Sequence, residues 1–230
     1  VLLGPRQGSE KLVKLLGDWG VKVGNDVVLD QEMRLFEGPR VGMAPLARSY
    51  GVHPITQGFR DATTYTRTRT VEPGAEGKKG LTATGLVKTG ATAWAETNLE
   101  DLFGPGTASL DETDRKGPVT LAVAVEAKLK DMGVTPAPTE DARLVVFGTP
   151  TFANNQQLVQ FPQNGDLFQN AVGWLVGQAE LVSIRSRSVR ASRAELSGEQ
   201  TQQLFYLSVL IMPQLLTIMG IIIWWRRRSA

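Results

Sequence analysis

The sequence has no cysteine and a single histidine among its 230 residues. Without thiols there is no disulfide framework, no thiolate nucleophile and no cysteine-bound metal, so a disulfide-stapled mini-domain and a thiol enzyme are both excluded. One histidine, His53, cannot assemble a histidine-rich metal site. A phosphate-binding loop is also missing: Gly80 and Gly85 have the Walker A gap, but Leu86 stands where the lysine belongs. The chain has neither a GxGxxG dinucleotide fingerprint nor a Gly-x-Ser-x-Gly nucleophile elbow. These residues predict no metal and no cofactor.

Charge of one sign is lacking too. There are 25 Lys and Arg, three of them in the terminal triplet Arg226–Arg228, against 23 Asp and Glu, so residues 1–225 carry a formal charge of −1. The basic isoelectric point therefore belongs to the tail. A nucleic-acid surface needs clustered cations elsewhere. The nearest candidates, the Arg67/Arg69 pair and Lys78-Lys79, read as solvated surface, and no nucleic-acid partner is expected.

What the chain does have is a long uncharged run. From Leu204 to Trp225 there are 22 residues without a charge, and at about 1.5 Å per residue such a helix crosses a hydrocarbon core of roughly 30 Å. Ser208, Gln214 and Thr217 can bond within the helix or to a neighbour, whereas Pro213 removes one backbone donor and predicts a kink. Trp224 and Trp225 meet Arg226, Arg227 and Arg228 in the pattern of an interfacial aromatic belt and a cationic stop. Upstream, Arg185, Arg187, Arg190 and Arg193 blur the charge asymmetry, but residues 194–203 next to the span hold two glutamates and no Lys or Arg. That places the tail in the cytoplasm and the preceding domain outside it.

Along the chain, Val1-Leu2-Leu3 reads as the end of a strand, so the domain reads as incomplete at its amino-terminal side. Ser9 is placed to cap a helix with Leu12, Leu15, Leu16 and Trp19 on one face and Gly20 as its stop. Val21–Leu29 returns as strand, and this strand–helix–strand opening predicts an α/β layer. Residues 31–60 form a Gly-, Pro- and Arg-rich irregular excursion containing His53. Thr64–Val71 alternates as an exposed strand, residues 72–80 and 132–141 read as loops, and Val119–Val125 reads as a strand with one buried face. Arg143–Gly148 is a continuous apolar strand of the kind buried in a parallel sheet. Asn164-Gly165-Asp166 is placed to cap a helix bearing Leu167, Phe168, Ala171, Val172 and Leu175, ending near Gly177, and Leu181–Ile184 reads as a last strand. The resulting organisation is an α/β domain over 1–185, a polar, helix-breaking juxtamembrane linker over 186–203, the span 204–225 and a basic tail 226–230.

Two places invite chemistry. His53 titrates in the range of a general base and could act with a loop serine or carboxylate, which would make the chain a membrane-tethered hydrolase. Thr149, Thr151, Asn154 and Asn155 lie in the loop at the carboxyl end of the expected parallel strand, where open α/β sheets bind ligands. Their plainer role is to bond their own backbone.

Several segments, in order, resemble one family: Leu16–Val28, His53-Pro54-Ile55-Thr56, Ala93–Thr97, Gly117–Ala124 and above all Asn164–Leu175, followed by the apolar tail and its arginines. Together they resemble the GldG family of membrane-anchored auxiliary subunits of ABC-type transport systems, named from gliding motility. The resemblance implies a flavodoxin-like or class I glutamine amidotransferase-like sheet, without the amidotransferase cysteine, and a further amino-terminal region. It implies an ABC ATPase and a multi-span permease as partners. It also implies a bacterial inner membrane location and a non-catalytic extracytoplasmic domain that binds a substrate or envelope partner. Where such sequences carry an acidic loop after the late strand, this chain has Gly148-Thr149-Pro150-Thr151-Phe152.

Overall fold

The computed structural model describes residues 1–6, 10–32, 42–76, 78–136, 141–177 and 198–228. The chain divides into two units, Val1–Arg185 and Ser186–Ala230. The first begins with helix α1 (Glu10–Asp18) and strands β1 (Val21–Val23), β2 (Val27–Asp30), β3 (Leu46–Tyr50), β4 (Thr63–Thr64), β5 (Val71–Pro73), β6 (Leu81–Thr89) and β7 (Ala93–Glu96). Helix α2 (Leu99–Phe103), strands β8 (Arg115–Lys116), β9 (Thr120–Ala127) and β10 (Ala142–Phe147), and helices α3 (Asn155–Gln160) and α4 (Pro162–Leu175) follow.

Strands β10, β9, β6, β3 and β4 form, in that order, a five-stranded sheet; β2, β7 and β8 form a second, and β1 pairs with β5. All these pairings are antiparallel. Among the described residues the one parallel contact outside the named strands is the bridge between Leu2 and Phe147. The fold is thus mixed α/β with antiparallel sheets, which corrects the expected parallel sheet. The apolar run of Arg143–Gly148 fits a parallel strand, yet β10 runs antiparallel to β9, from Ala142 opposite Ala127 to Phe147 opposite Ala122. Such a run reports cover on both faces, not direction. Val145 and Phe147 pack with Leu167, Ala171 and Trp174 of α4, while Val146 packs with Leu3, Leu16 and Val21 on the other side. Strand β9 is covered in the same way, with Ala122 and Ala124 in the first cluster and Val123 and Val125 in the second, so its burial is two-faced rather than one-faced.

Other expectations change for local reasons. Leu16 is buried and Gly20 ends α1 at φ +74, but Leu15 is half exposed. The irregular excursion contains β3 and a 3-10 turn, Pro54–Thr56. The supposed exposed strand Thr64–Val71 breaks between β4 and β5, and Thr68, Arg69 and Thr70 are buried. Their polar groups are paired: Thr70 Oγ1 donates to Asp26 Oδ2 at 2.6 Å, and Arg69 donates through Nε to Gly24 O at 2.6 Å and through Nη1 to Gly4 O at 3.1 Å. Arg69 is therefore an interior strut, not solvated surface. The Ser9 cap, the Leu181–Ile184 strand and residues 186–197 lie outside the described residues.

In the second unit, α5 (Gly198–Phe205) continues through a π-helical stretch, Tyr206–Ile211, into α6 (Met212–Arg228). Helix therefore starts inside the stretch expected as a helix-breaking linker, at Gly198, the poorest helix former among residues 198–203. Gln202–Arg228 is long and apolar enough to cross a membrane, and none of its apolar window is buried. Next to Pro213, where the sequence predicts a kink, the helix carries the π stretch, in which Met212 N–H reaches Leu207 O five residues back. Ser208 and Thr217 bond within the helix, to Leu204 O at 2.7 Å and Pro213 O at 2.8 Å.

Candidate functional site

One cleft grows from the register of three strands. Glu126 on β9 stands opposite Thr82 on β6 and Arg143 on β10, and in the next row on the same face Ala124 stands opposite Thr84. Alternation in a strand puts residues two apart on one face, so a polar row and a small-residue row lie side by side. The small Ala124 leaves space above the sheet. There His53, Pro54 and Trp174 close a cavity of about 280 Å³ whose floor is Thr82, Thr84, Ala124, Glu126 and Arg143.

His53 is set by its own turn. It caps Pro54–Thr56 with Nδ1 accepting the Ile55 N–H at 3.2 Å, and Ile55 is fully buried beneath it. Gly51 has to be glycine here, because a Cβ would stand 2.1 Å from Gly85 O. From α4, Asn170 Nδ2 donates to Ile55 O at 3.0 Å, and the Trp174 ring meets the imidazole edge-on at 4.8 Å. Burial pulls the His53 pKa below its usual 6.5, with Glu126 opposing and Arg143 reinforcing that shift. The neutral ring accepts at Nδ1, so its proton is on Nε2.

Arg143 bridges sheet and helix. Its Nη1 donates to Trp174 O at 2.7 Å and its guanidinium lies 5.1 Å from the Trp174 ring centre. Its Nε stands 3.4 Å from Glu126 Oε1, an ion pair without hydrogen-bond geometry that leaves this buried N–H unbonded. The cleft thus offers a carboxylate, a guanidinium, two hydroxyls and a neutral imidazole beside an indole, a lining suited to a small polar ligand.

The loop residues lie elsewhere. Thr149 is fully buried, with Oγ1 donating to Thr66 O at 2.7 Å and 3.1 Å from Thr151 Oγ1. Asn154 caps α3 by accepting Gln157 N–H at 2.8 Å, and the exposed Asn155 opens that helix. These four are not among the residues lining the cleft with His53. Glu126, Arg143, Thr82, Thr84 and Trp174 escaped the sequence reading. The one local signal was a glutamate interrupting an otherwise apolar run at the end of β9. Of the anchor residues, Leu204 lies in the last turn of α5, while Pro213, Trp224, Trp225 and Arg226–Arg228 lie on α6, where Arg228 sits 5.2 Å from the Trp224 ring.

A family model described as ABC-type uncharacterized transport system matches residues 3–181. No curated protein matches the chain. Among solved structures, one named mmIFT52 N-terminal domain is 15% identical with a TM-score of 0.45, covering 71% of this chain and 56% of that one. The chain spans little more than half of that structure, and so loose a likeness assigns neither fold nor function.

Proposed function

The chain belongs to the ABC-type uncharacterized transport system auxiliary family, and on that premise we propose that it is a membrane-anchored accessory subunit of an ABC-type transport complex. The helix Gln202–Arg228 carries the reading: an apolar surface of that length with nothing packed on it is unfavourable in water and stable in a bilayer. In this reading Arg226–Arg228 lie in the cytoplasm, the first unit lies outside it, and the helix packs beside a multi-span permease served by an ABC ATPase. The narrower GldG assignment, with its link to gliding motility, belongs to the same proposal. So does a flavodoxin-like sheet, supported by the parallel contact of the outer edge of β10 with the first residues, Leu3 N–H to Phe147 O at 3.0 Å and Phe147 N–H to Val1 O at 2.9 Å.

We assign the cleft of His53, Glu126, Arg143 and Trp174 to binding of a transported ligand or an envelope partner, without catalysis. In support, His53 Nδ1 is committed to the Ile55 N–H and Nε2 holds the proton, so neither nitrogen stands free as a base. The rival, a membrane-tethered hydrolase, draws on His53 and Glu126 sharing that cleft. A His53→Asn variant separates the two, since asparagine keeps a capping oxygen. Because His53 lines the cleft in both readings, the readout is turnover: weakened ligand binding in the variant with no hydrolysis by the native chain supports the binding reading, whereas hydrolysis by the native chain that the variant loses at an unchanged melting temperature favours the hydrolase.

The anchor and the complex are tested together on the full-length tagged protein in its own membranes. The expected result is a chain that stays in the membrane through alkaline carbonate and brings down an ATPase and a permease after a stringent wash. A chain released by carbonate, or one recovered alone, overturns the proposal.

A further inference from the structure

We infer that the cleft takes a free α-amino acid with an uncharged side chain, its ammonium on Glu126 and its carboxylate on Arg143 and His53. The inference rests on the binding role proposed for the cleft above.

The two charges in the cleft are unlike, adjacent and incompletely satisfied. Glu126 on β9 stands directly opposite Arg143 on β10, one strand spacing of about 4.8 Å away. Yet they meet at 3.4 Å without hydrogen-bond geometry, and Glu126 accepts no hydrogen bond among the described residues. Arg143 commits Nη1 to Trp174 O and rests Nε against Glu126, so Nη2 makes no hydrogen bond among the described residues. His53 Nδ1 is taken by the Ile55 N–H, which leaves its Nε2–H as a donor. Both charged side chains are partly exposed, and all three residues line the cleft.

Simpler ligands each leave one of these groups unmatched. An anion would face Glu126 and a cation would face Arg143, like charge against like in a half-enclosed site. A sugar would rest its C–H face on an open aromatic ring, but Trp174 is only 3% exposed, with the Arg143 guanidinium 5.1 Å from its centre and His53 edge-on at 4.8 Å. A zwitterion answers both charges at once. In an α-amino acid the nitrogen and the carboxyl carbon are about 2.5 Å apart, so the ammonium reaches Glu126 while the carboxylate meets Arg143 Nη2 and the His53 Nε2–H. A second residue would add about 3.5 Å between the termini and overshoot the pair. A charged side chain would find no third partner, because the cleft has one charged group of each sign. Its volume of about 280 Å³ suits a ligand of this size, with Ala124 and Pro54 bounding the space left for a side chain.

Calorimetric titration of the full chain in detergent tests the assignment, with L-serine, L-alanine, L-valine and L-leucine as probes and D-glucose, acetate and ethylammonium for comparison. At least one amino acid is expected to bind, and its N-acetyl and amide derivatives, each lacking one of the two charges, should bind roughly tenfold or more weakly. Glu126→Gln leaves the Arg143 bond to Trp174 O in place. It should weaken the amino acid by a similar factor and narrow its advantage over the N-acetyl form, which a general loosening of the cleft would not do. Arg143→Met should instead narrow the advantage over the amide. A chain that prefers D-glucose, acetate or ethylammonium, and loses that binding in either variant, overturns the ligand class while the cleft stays a binding site. Amino-acid binding indifferent to both variants overturns the cleft as its site. Binding of no probe overturns the ligand class; recovery of an envelope partner that Glu126→Gln loses would still uphold the cleft as a binding surface, which keeps the two failures apart.

Discussion

Asn164 holds Thr64 as a neighbouring strand would: its Oδ1 accepts the Thr64 N–H at 3.1 Å and its Nδ2 donates to the Thr64 carbonyl at 2.8 Å. Both residues are buried, and Thr64 belongs to β4, the outermost strand of the five-stranded sheet. The side chain therefore closes a sheet edge that would otherwise leave backbone groups unpaired. Asn164 was expected to cap α4, but that helix begins at Pro162, a residue suited to a first turn because its missing N–H has no partner there anyway. Freed from capping, Asn164 ties α4, and with it Trp174 and Asn170, to the sheet.

Asn164→Ala should destabilise the protein by about 2–4 kcal/mol, because it strands a buried N–H and a buried C=O together. Asn170→Ala removes one half-buried bond, to Ile55 O, and should cost about 0.5–1.5 kcal/mol. Urea unfolding of the detergent-solubilised chain measures both. Equal losses would show that the clamp on Thr64 has no special weight.

The depressed pKa of His53 predicts a stability that falls with acid. Burial favours the neutral ring in the folded chain, so the unfolded chain binds a proton first. Stability is fully present above the unfolded value of about 6.5 and declines as pH drops from there through the lower folded value. Protonation also ends the capping bond, since a charged ring cannot accept at Nδ1. Melting temperature followed from pH 8 to pH 5 should drop more steeply for the native chain than for His53→Asn; parallel curves would mean that His53 does not link folding to pH.

What could be read from the sequence was whatever one short window encodes. The uncharged run of Leu204–Trp225 needs no partner to be recognised, and Leu16 in α1 and Leu167 and Ala171 in α4 sit where helical spacing puts them. Strand direction was not legible, because the run through Val145–Phe147 reports burial on two faces whichever way its neighbour runs. The buried threonines misled for a similar reason: Thr70 is polar by composition, and its partner Asp26 lies 44 positions away. The cleft fell between these cases. His53 stood out as the lone histidine, but Glu126 and Arg143 join it through cross-strand register, which is a property of pairing and not of either segment.

Gly148→Ala should be among the more damaging single-methyl changes. A Cβ there would lie 2.1 Å from Arg69 O and 2.8 Å from Thr68 Oγ1. The backbone cannot retreat, because Arg69 N–H bonds Gly148 O at 2.8 Å and Gly148 N–H bonds Leu121 O at 2.9 Å. Separating these segments would break bonds on both sides, at a cost of about 2 kcal/mol or more. Gly58→Ala is the control: a Cβ there meets nothing within 4 Å, although its φ of +67 still strains a side chain by about 1 kcal/mol. Thermal unfolding should rank Gly148→Ala well below Gly58→Ala, and the reverse order would discount the close approach.

Arg143 and Glu126 should prove unequal partners. Their side chains are 28% and 40% exposed and meet without hydrogen-bond geometry, so solvent screens the attraction and Glu126→Gln should cost less than about 1 kcal/mol. Arg143→Met removes more, since it loses the charged hydrogen bond to Trp174 O and the stacking on the indole, together about 1.5–3 kcal/mol. Trp174 itself should respond: its fluorescence should shift in Arg143→Met, where the cap over the ring is gone, and stay near native in Glu126→Gln. If Glu126→Gln unfolds the protein as readily as Arg143→Met, the ion pair and not the sheet-to-helix bridge holds the cleft together.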